Sequence, residues 1–260
     1  MNIIFDYDSL VNLKKWFASY VASFKLEDPD TLKNIQLKEI HTSRVCTEIV
    51  NIGQQLGLKD DALNVAEAIA LLHDVGRFEQ YTVYKTFKDQ KSVNHAELGV
   101  EILEKYDVLK HIDNTTKNII TRSVKYHNRV ALPDNETELC LFYAKLIRDA
   151  DKLDIWKIVT EYYTSNTSKN KAIELDFPDT PSFSKEVYAD LTNKRIVDMK
   201  NVSNLNDFKL LQVGWVFDIN FQPTLHFIKK RKYIEIMREV LPKSKEIDSV
   251  FDIVNLSLVN

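Results

Sequence analysis

Ala70-Leu71-Leu72-His73-Asp74-Val75-Gly76-Arg77-Phe78 is an apolar helical run that ends in an adjacent His-Asp pair, followed by glycine and arginine. An unpaired charge at the buried end of a helix costs several kcal/mol, so two ionisable groups side by side there call for a shared partner such as a metal ion. Taken alone, the dipeptide is better served by a helix-end histidine bonded to a neighbour.

Reading outward adds company to the pair. Upstream lies His41 in His41-Thr42-Ser43-Arg44-Val45, and downstream lies Asp151 in Asp149-Ala150-Asp151-Lys152-Leu153-Asp154. The helix from about Thr31 carries Ile35, His41, Val45, Ile49, Ile52 and Leu56 on one broad face and stops near Gly57, so His41 points inward with Arg44 on a neighbouring face. Asp60 and Asp61 serve as caps for the next helix, which delivers His73 and Asp74 at its end. Adjacent helical residues diverge by about 100°, so both reach one ion only if it sits between their directions.

The ordered set of His, His-Asp and Asp resembles the metal-binding signature of the HD-domain superfamily of metal-dependent phosphohydrolases, over about residues 30–160. That resemblance implies an all-α, HD-domain-like helical bundle and a principal metal held by His41, His73, Asp74 and Asp151. Asp149 is the rival for the last place. Asp151 is preferred because Asp-Lys-Leu-Asp is similar to the family's Asp-[Lys/Arg]-Leu/Trp-[His/Asp] segment. His95 and His127 fall where binuclear members place ligands for a second metal. The His-x-x-x-Gly form of the cyclic-dinucleotide branch is matched by His95 to Gly99, but its His-His-Glu…Gly-Tyr-Pro segment is replaced by His127-Asn128-Arg129-Val130-Ala131-Leu132-Pro133. That departure argues against cyclic dinucleotides and leaves the second metal open, with substrate-phosphate contact or structural bonding as the other roles for the two histidines.

Mixed imidazole and carboxylate ligands suit divalent ions of intermediate hardness, and the sequence does not choose among Mn, Fe, Co, Ni, Zn and Mg, or between one ion and two. A bound metal brings its water towards neutral acidity and polarises the phosphoryl group. Asp74 is then expected to hold the metal and to orient, or accept a proton from, the attacking water. Arg44, Arg77 and Lys152 are the candidate cations for transition-state charge, with Lys85 a weaker one. Arg77 replaces the lysine common after His-Asp-x-Gly, and its planar fork grips phosphate at two points. His111 and His226 lack a partner motif and are expected to be structural or exposed.

The bulk numbers agree with such a fold. The 260 residues are 44% hydrophobic and 28% charged, and only five glycines and six prolines interrupt long stretches of three- and four-residue apolar spacing. A net charge of −3 gives no general attraction to nucleic-acid backbones, so no nucleic-acid partner is expected. Cys46 and Cys140 lack metal-site spacing and are read as reduced core thiols, which points to the cytoplasm. Met1 to Asp8 have no basic n-region, and no apolar run approaches the roughly 18–20 residues of a membrane span, so neither export nor insertion is expected.

Along the chain, Ser9 to about Phe24 reads as a first amphipathic helix with Ser9 as N-cap, assigned with residues 1–29 to a helix packing on the core. Gln80 to Val93 reads as an ordered loop over the site, and Ser92 as the cap of a helix containing His95. Helices follow at about 114–127 and 134–163. Ser165 to Ser184 is the best linker candidate, and helical stretches at about 184–196, 204–219 and 224–241 follow it. The division expected is 30–165 for the phosphohydrolase core and 166–260 for a C-terminal helical extension in the same globule. Lys229-Lys230-Arg231-Lys232 reads as a solvated face.

The function expected is hydrolysis of a phosphate ester of a small metabolite, a nucleotide foremost, by metal-activated water, as a phosphomonoesterase or phosphodiesterase. The alternatives are an alarmone or nucleoside triphosphate hydrolase and a non-catalytic nucleotide-binding sensor. Oligomeric state is left open.

Overall fold

A computed structural model describes residues 4–24, 28–165 and 170–259. Among them there is no strand, and the helices are α1 Tyr7–Ala22, α2 Pro29–Gln55, α3 Asp60–Leu72, α4 Gly76–Tyr84, α5 His95–Lys105, α6 Asn114–Tyr126, α7 Glu138–Thr164, α8 Lys171–Glu174, α9 Lys185–Thr192, α10 Leu205–Gly214, α11 Gln222–Lys230, α12 Tyr233–Glu239 and α13 Lys245–Val259. The all-α class therefore stands. The chain forms two compact units, which divide inside α7 between Asp154 and Ile155.

In the first unit α2 and α3 pack side by side, α1 lies on α3, and α6 packs against both α3 and α5. The centre is aliphatic: Ile35, Val45, Ile49 and Ile52 of α2 meet Val65, Ala66, Ile69, Ala70 and Leu72 of α3, all fully buried. The small alanines of α3 let neighbouring helices approach closely, and alanine costs least in helix propensity. Phe78, fully buried, takes edge-on contacts from Phe17 and Tyr20 of α1, which fastens the first helix beside the His-Asp turn.

One close approach decides where His95 goes. A Cβ on Gly76 would collide with the carbonyl oxygen of His95, and Gly99 lies opposite with Val75 and the Gly76 amide as its nearest neighbours. The two glycines let α4 and α5 touch backbone to backbone, and that contact carries His95 to the His-Asp turn.

Several local expectations are corrected. Asp6, not Ser9, caps α1: the Asp6 carboxylate accepts from the Ser9 amide, which is already helical. Asp60 is itself the first residue of α3 with φ of 48°, and Asp61 accepts from the Phe5 amide instead of capping. The stretch expected as a loop from Gln80 is helical to Tyr84, ending where Lys85 turns left-handed at φ 52°; only residues 85–94 are non-helical save for a 3-10 turn at Asp89–Lys91. The cap of α5 is Asn94, whose side chain accepts from the Ala96 and Glu97 amides, whereas the Ser92 hydroxyl donates to the Lys88 carbonyl. The long helix starts at Glu138, past the turn that follows Pro133.

In the second unit α9 packs on α10 and α13, and α12 lies against α10 and α11. The expected 224–241 helix is two, because Lys232 adopts φ of 55° between α11 and α12. Helix α13, which the sequence reading passed over, buries Ile247, Val250, Phe251, Val254 and Leu258. Cys46 and Cys140 are free thiols, and no described helix is long and apolar enough to cross a membrane.

Candidate metal centre

The middles of two helices, the ends of three others and one turn supply the site. Helix α2 presents His41 from its middle, α3 ends on His73, and Asp74 occupies the turn into α4. His95 opens α5, His127 follows the last residue of α6, and α7 presents Asp151 and Asp154 one turn apart. All four histidines, Asp74 and Asp154 are buried.

Asp74 is the pivot. Its Oδ2 lies 3.5 Å from His41 Nε2 and 3.6 Å from His73 Nε2, while its Oδ1 lies 3.4 Å from His95 Nε2 and 3.7 Å from His127 Nε2. Asp151 Oδ1 closes the first side at 3.1 Å from His41 Nε2 and 3.8 Å from His73 Nε2. Ligand atoms of His41, His73 and Asp151 form one compact group, and those of His73, Asp74 and His127 another.

The rear nitrogens reveal what the front ones need. His73 Nδ1 donates to the Ala70 carbonyl and His127 Nδ1 to the Val124 carbonyl, both at 2.7 Å. His41 Nδ1 donates to Asp154 at 2.7 Å, and His95 Nδ1 donates to Asp89 at 2.8 Å. A carbonyl oxygen only accepts, so each neutral imidazole carries its hydrogen at Nδ1 and turns a bare Nε2 lone pair inward. His95 Nε2 and His127 Nε2 thus face each other across 3.0 Å with no hydrogen to share. His41 Nε2 and His73 Nε2 are buried without a hydrogen-bond partner. Converging lone pairs and carboxylates need a cation, and N/O donors in this number suit one or two divalent ions.

Electrostatics agree. Burial pushes His73 down to about 4, and burial with the nearby Arg77 guanidinium pushes His95 down to about 3, so both imidazoles are neutral at pH 7. In His41, burial and the Lys38 ammonium push downward, but the facing carboxylates of Asp151 and Asp154 prevail and the value is raised; the Asp151 carboxylate likewise favours a cation at Nε2. Burial would raise the Asp74 carboxyl, yet its cationic neighbours, Lys38 foremost and then Arg77, hold it well below the usual range.

Residues 39–156 match the family model of the HD domain. This segment is an HD domain. No curated protein and no solved structure matches the chain. The HD domain suggests a metal-dependent phosphohydrolase, and its His/Asp cluster is compatible with metal binding.

Arg44 turns away from the ligand atoms and pairs with Asp154, Nε to Oδ1 at 2.5 Å. Arg77 lies with Nε 3.5 Å from Asp74 Oδ1, and its Nη1 donates to Gln80, to the Phe87 carbonyl and to Asp89. Lys152 is buried next to Asp151. Asp149 is fully buried and is not among the grouped ligand atoms. Lys85 bonds Asp28 and Thr31, away from the cluster, and His111 and His226 are exposed.

Three residues escaped the sequence reading as parts of the site. Asp154 orients His41, Asp89 orients His95, and Lys38 donates to Asp74 Oδ2 at 2.8 Å. Asp154 and Lys38 carried a signal, since each lies three residues from a ligand on its own helix and so shares a face with it. Asp89 fell within the stretch expected as a loop over the site, but nothing marked His95 as its partner, because a non-helical stretch has no period.

Proposed function

We propose that the chain is a metal-dependent phosphohydrolase that cleaves a phosphate ester of a small metabolite, with nucleotides the substrate class to test first. The observation that carries this reading is Asp74, whose two oxygens each face two inward Nε2 lone pairs. His41, His73, Asp74 and Asp151 would hold one divalent ion, and Asp74, His95 and His127 a second. A bound divalent ion supplies Lewis acidity towards the phosphoryl oxygens and a more acidic water.

The protein's own part is positioning and charge. Asp74, held anionic by its neighbours, would serve as a metal ligand and would orient the attacking water. Arg77, tethered by three acceptors beside Asp74, is a fixed cation at the edge of the cluster and balances charge built up on phosphoryl oxygens. Arg44 acts from behind: it locks Asp154, which locks His41.

The test is metal analysis of the purified protein together with a screen of phosphorylated metabolites, repeated on Asp74→Asn. Bound metal with phosphate release, both lost or cut at least a hundredfold in the variant, supports the reading. Metal and nucleotide binding with no product from any phosphorylated compound would turn it to a sensor. Unchanged metal content in Asp74→Asn would remove Asp74 from the ligand set.

A further inference from the structure

Lys38 stands one residue before the span that matches the HD domain, and its ammonium sits on the same Asp74 oxygen that faces His41 and His73. Its side chain is only 16% exposed, and its nitrogen also rides 5.3 Å from the centre of the Phe87 ring. Resting on the metal-dependent reading above, we infer that Lys38 is an exchangeable cation: it yields Asp74 Oδ2 to the divalent ion and then binds the phosphoryl group of the substrate.

Two cations flank Asp74, one on each oxygen, and they are held very differently. Arg77 is tied by Gln80, the Phe87 carbonyl and Asp89, three acceptors that fix its planar fork. Among the described residues Lys38 donates one hydrogen bond, to Asp74, and otherwise rests on an aromatic face. A lysine is a compact charge on a flexible four-carbon stem, so it can change partners without moving the helix that bears it. Were His41, His73, Asp74 and Asp151 to hold a divalent ion, that ammonium would be repelled and would lose its acceptor. The displaced charge is mostly buried and needs an anion to replace the one it lost. A phosphoryl oxygen at the same ion is an anion within a lysine's reach.

Metal and phosphate binding are thereby coupled through one side chain. The ammonium competes with the metal before loading and recruits phosphate afterwards, so phosphate binds well only once the metal is present. The two effects have opposite signs for a variant without the charge, which a merely structural lysine does not produce.

The experiment uses the full chain, stripped with a chelator, and compares wild type with Lys38→Met and Lys38→Arg. Equilibrium dialysis measures Mn2+ affinity, and calorimetry with inorganic phosphate at saturating Mn2+ measures anion affinity. Lys38→Met is expected to bind Mn2+ about tenfold tighter and phosphate about tenfold weaker, as loss of a charge-assisted bond implies. Lys38→Arg should keep phosphate affinity within a few-fold of wild type. Should the methionine variant fail to fold, Lys38→Gln carries the same two comparisons. Mn2+ affinity that stays level or weakens in the uncharged variant overturns the competition, and phosphate affinity that stays level overturns the recruitment. A wild-type protein that binds no divalent ion fails at an earlier step, and would sink the metal-dependent reading itself.

Discussion

Asp154 holds His41 from behind, and Arg44 holds Asp154, so one buried carboxylate serves a ligand on one oxygen and a guanidinium on both. Such carboxylate–imidazole partners fix the tautomer and the ring orientation, and losing one typically costs about 10–100-fold in metal affinity. Asp154→Asn is expected to weaken metal binding in that range while the protein stays helical, because asparagine fills the same space. Titration of Mn2+ followed by circular dichroism checks both halves. Asp89→Asn tests the other side of the cluster. Its carboxylate accepts from His95 Nδ1, from Arg77 and from Gln80, so the substitution should loosen His95 and Arg77 together. If two ions bind, the variant should lose the weaker one first, and metal stoichiometry should fall towards one per chain. Two full equivalents in Asp89→Asn would show that His95 needs no such support.

At the scale of elements, the turn between α3 and α4 is where sequence and packing meet. Gly76 has no room for a side chain because the first turn of α5 lies against it. Gly76→Ala must push α5 away, and overpacking of this kind typically costs about 1–3 kcal/mol. Because His95 heads α5, the same displacement is expected to weaken metal binding beyond what the stability loss explains. Chemical denaturation and Mn2+ titration on the same sample separate the two effects, and a variant destabilised but with unchanged metal affinity would uncouple the α4–α5 contact from the site. The helical character and the His-Asp turn were legible because each leaves a local mark: three- and four-residue apolar spacing, and a charged pair after an apolar run. Helix α4 was not, since its nine residues bury just Phe78, Gln80 and Tyr81 beyond the glycine and mix polar with aromatic residues. Asp89 and the Asn94 cap were hidden for a related reason: a non-helical stretch has no period, so what its side chains reach is decided by packing alone. Helix α13 did carry the period in Ile247, Val250, Phe251, Val254 and Leu258, and that signal went unread.

For the molecule as a whole, the buried imidazoles tie stability to pH, and the sign follows from where each proton goes. His73 and His95 are depressed to about 4 and about 3 in the folded chain, against an ordinary value of 6.5. Between 6.5 and 4 the unfolded chain binds protons that the folded one refuses, so stability falls as pH falls, by up to about 1.4 kcal/mol per pH unit for each histidine. His41 is raised, so below 6.5 it is protonated in both states and adds no slope there. Asp74 and Asp151 are lowered, and their contribution is lost only as pH drops through and below about 3.8, outside this window. Chelator-treated protein is therefore expected to lose stability steeply from pH 6.5 down to pH 4, as urea midpoints at pH 6.5, 5.5 and 4.5 would show. His95→Gln should flatten that slope by about half, since it removes one of the two titrating rings. Divalent metal favours the neutral imidazoles against protons, and a ligand at a thousand times its dissociation constant stabilises the fold by about 4 kcal/mol. Saturating Mn2+ should thus move the onset of acid unfolding to lower pH. An acid limb that neither Mn2+ nor His95→Gln alters would mean that the protons driving it bind elsewhere, and that these histidines hold no cation.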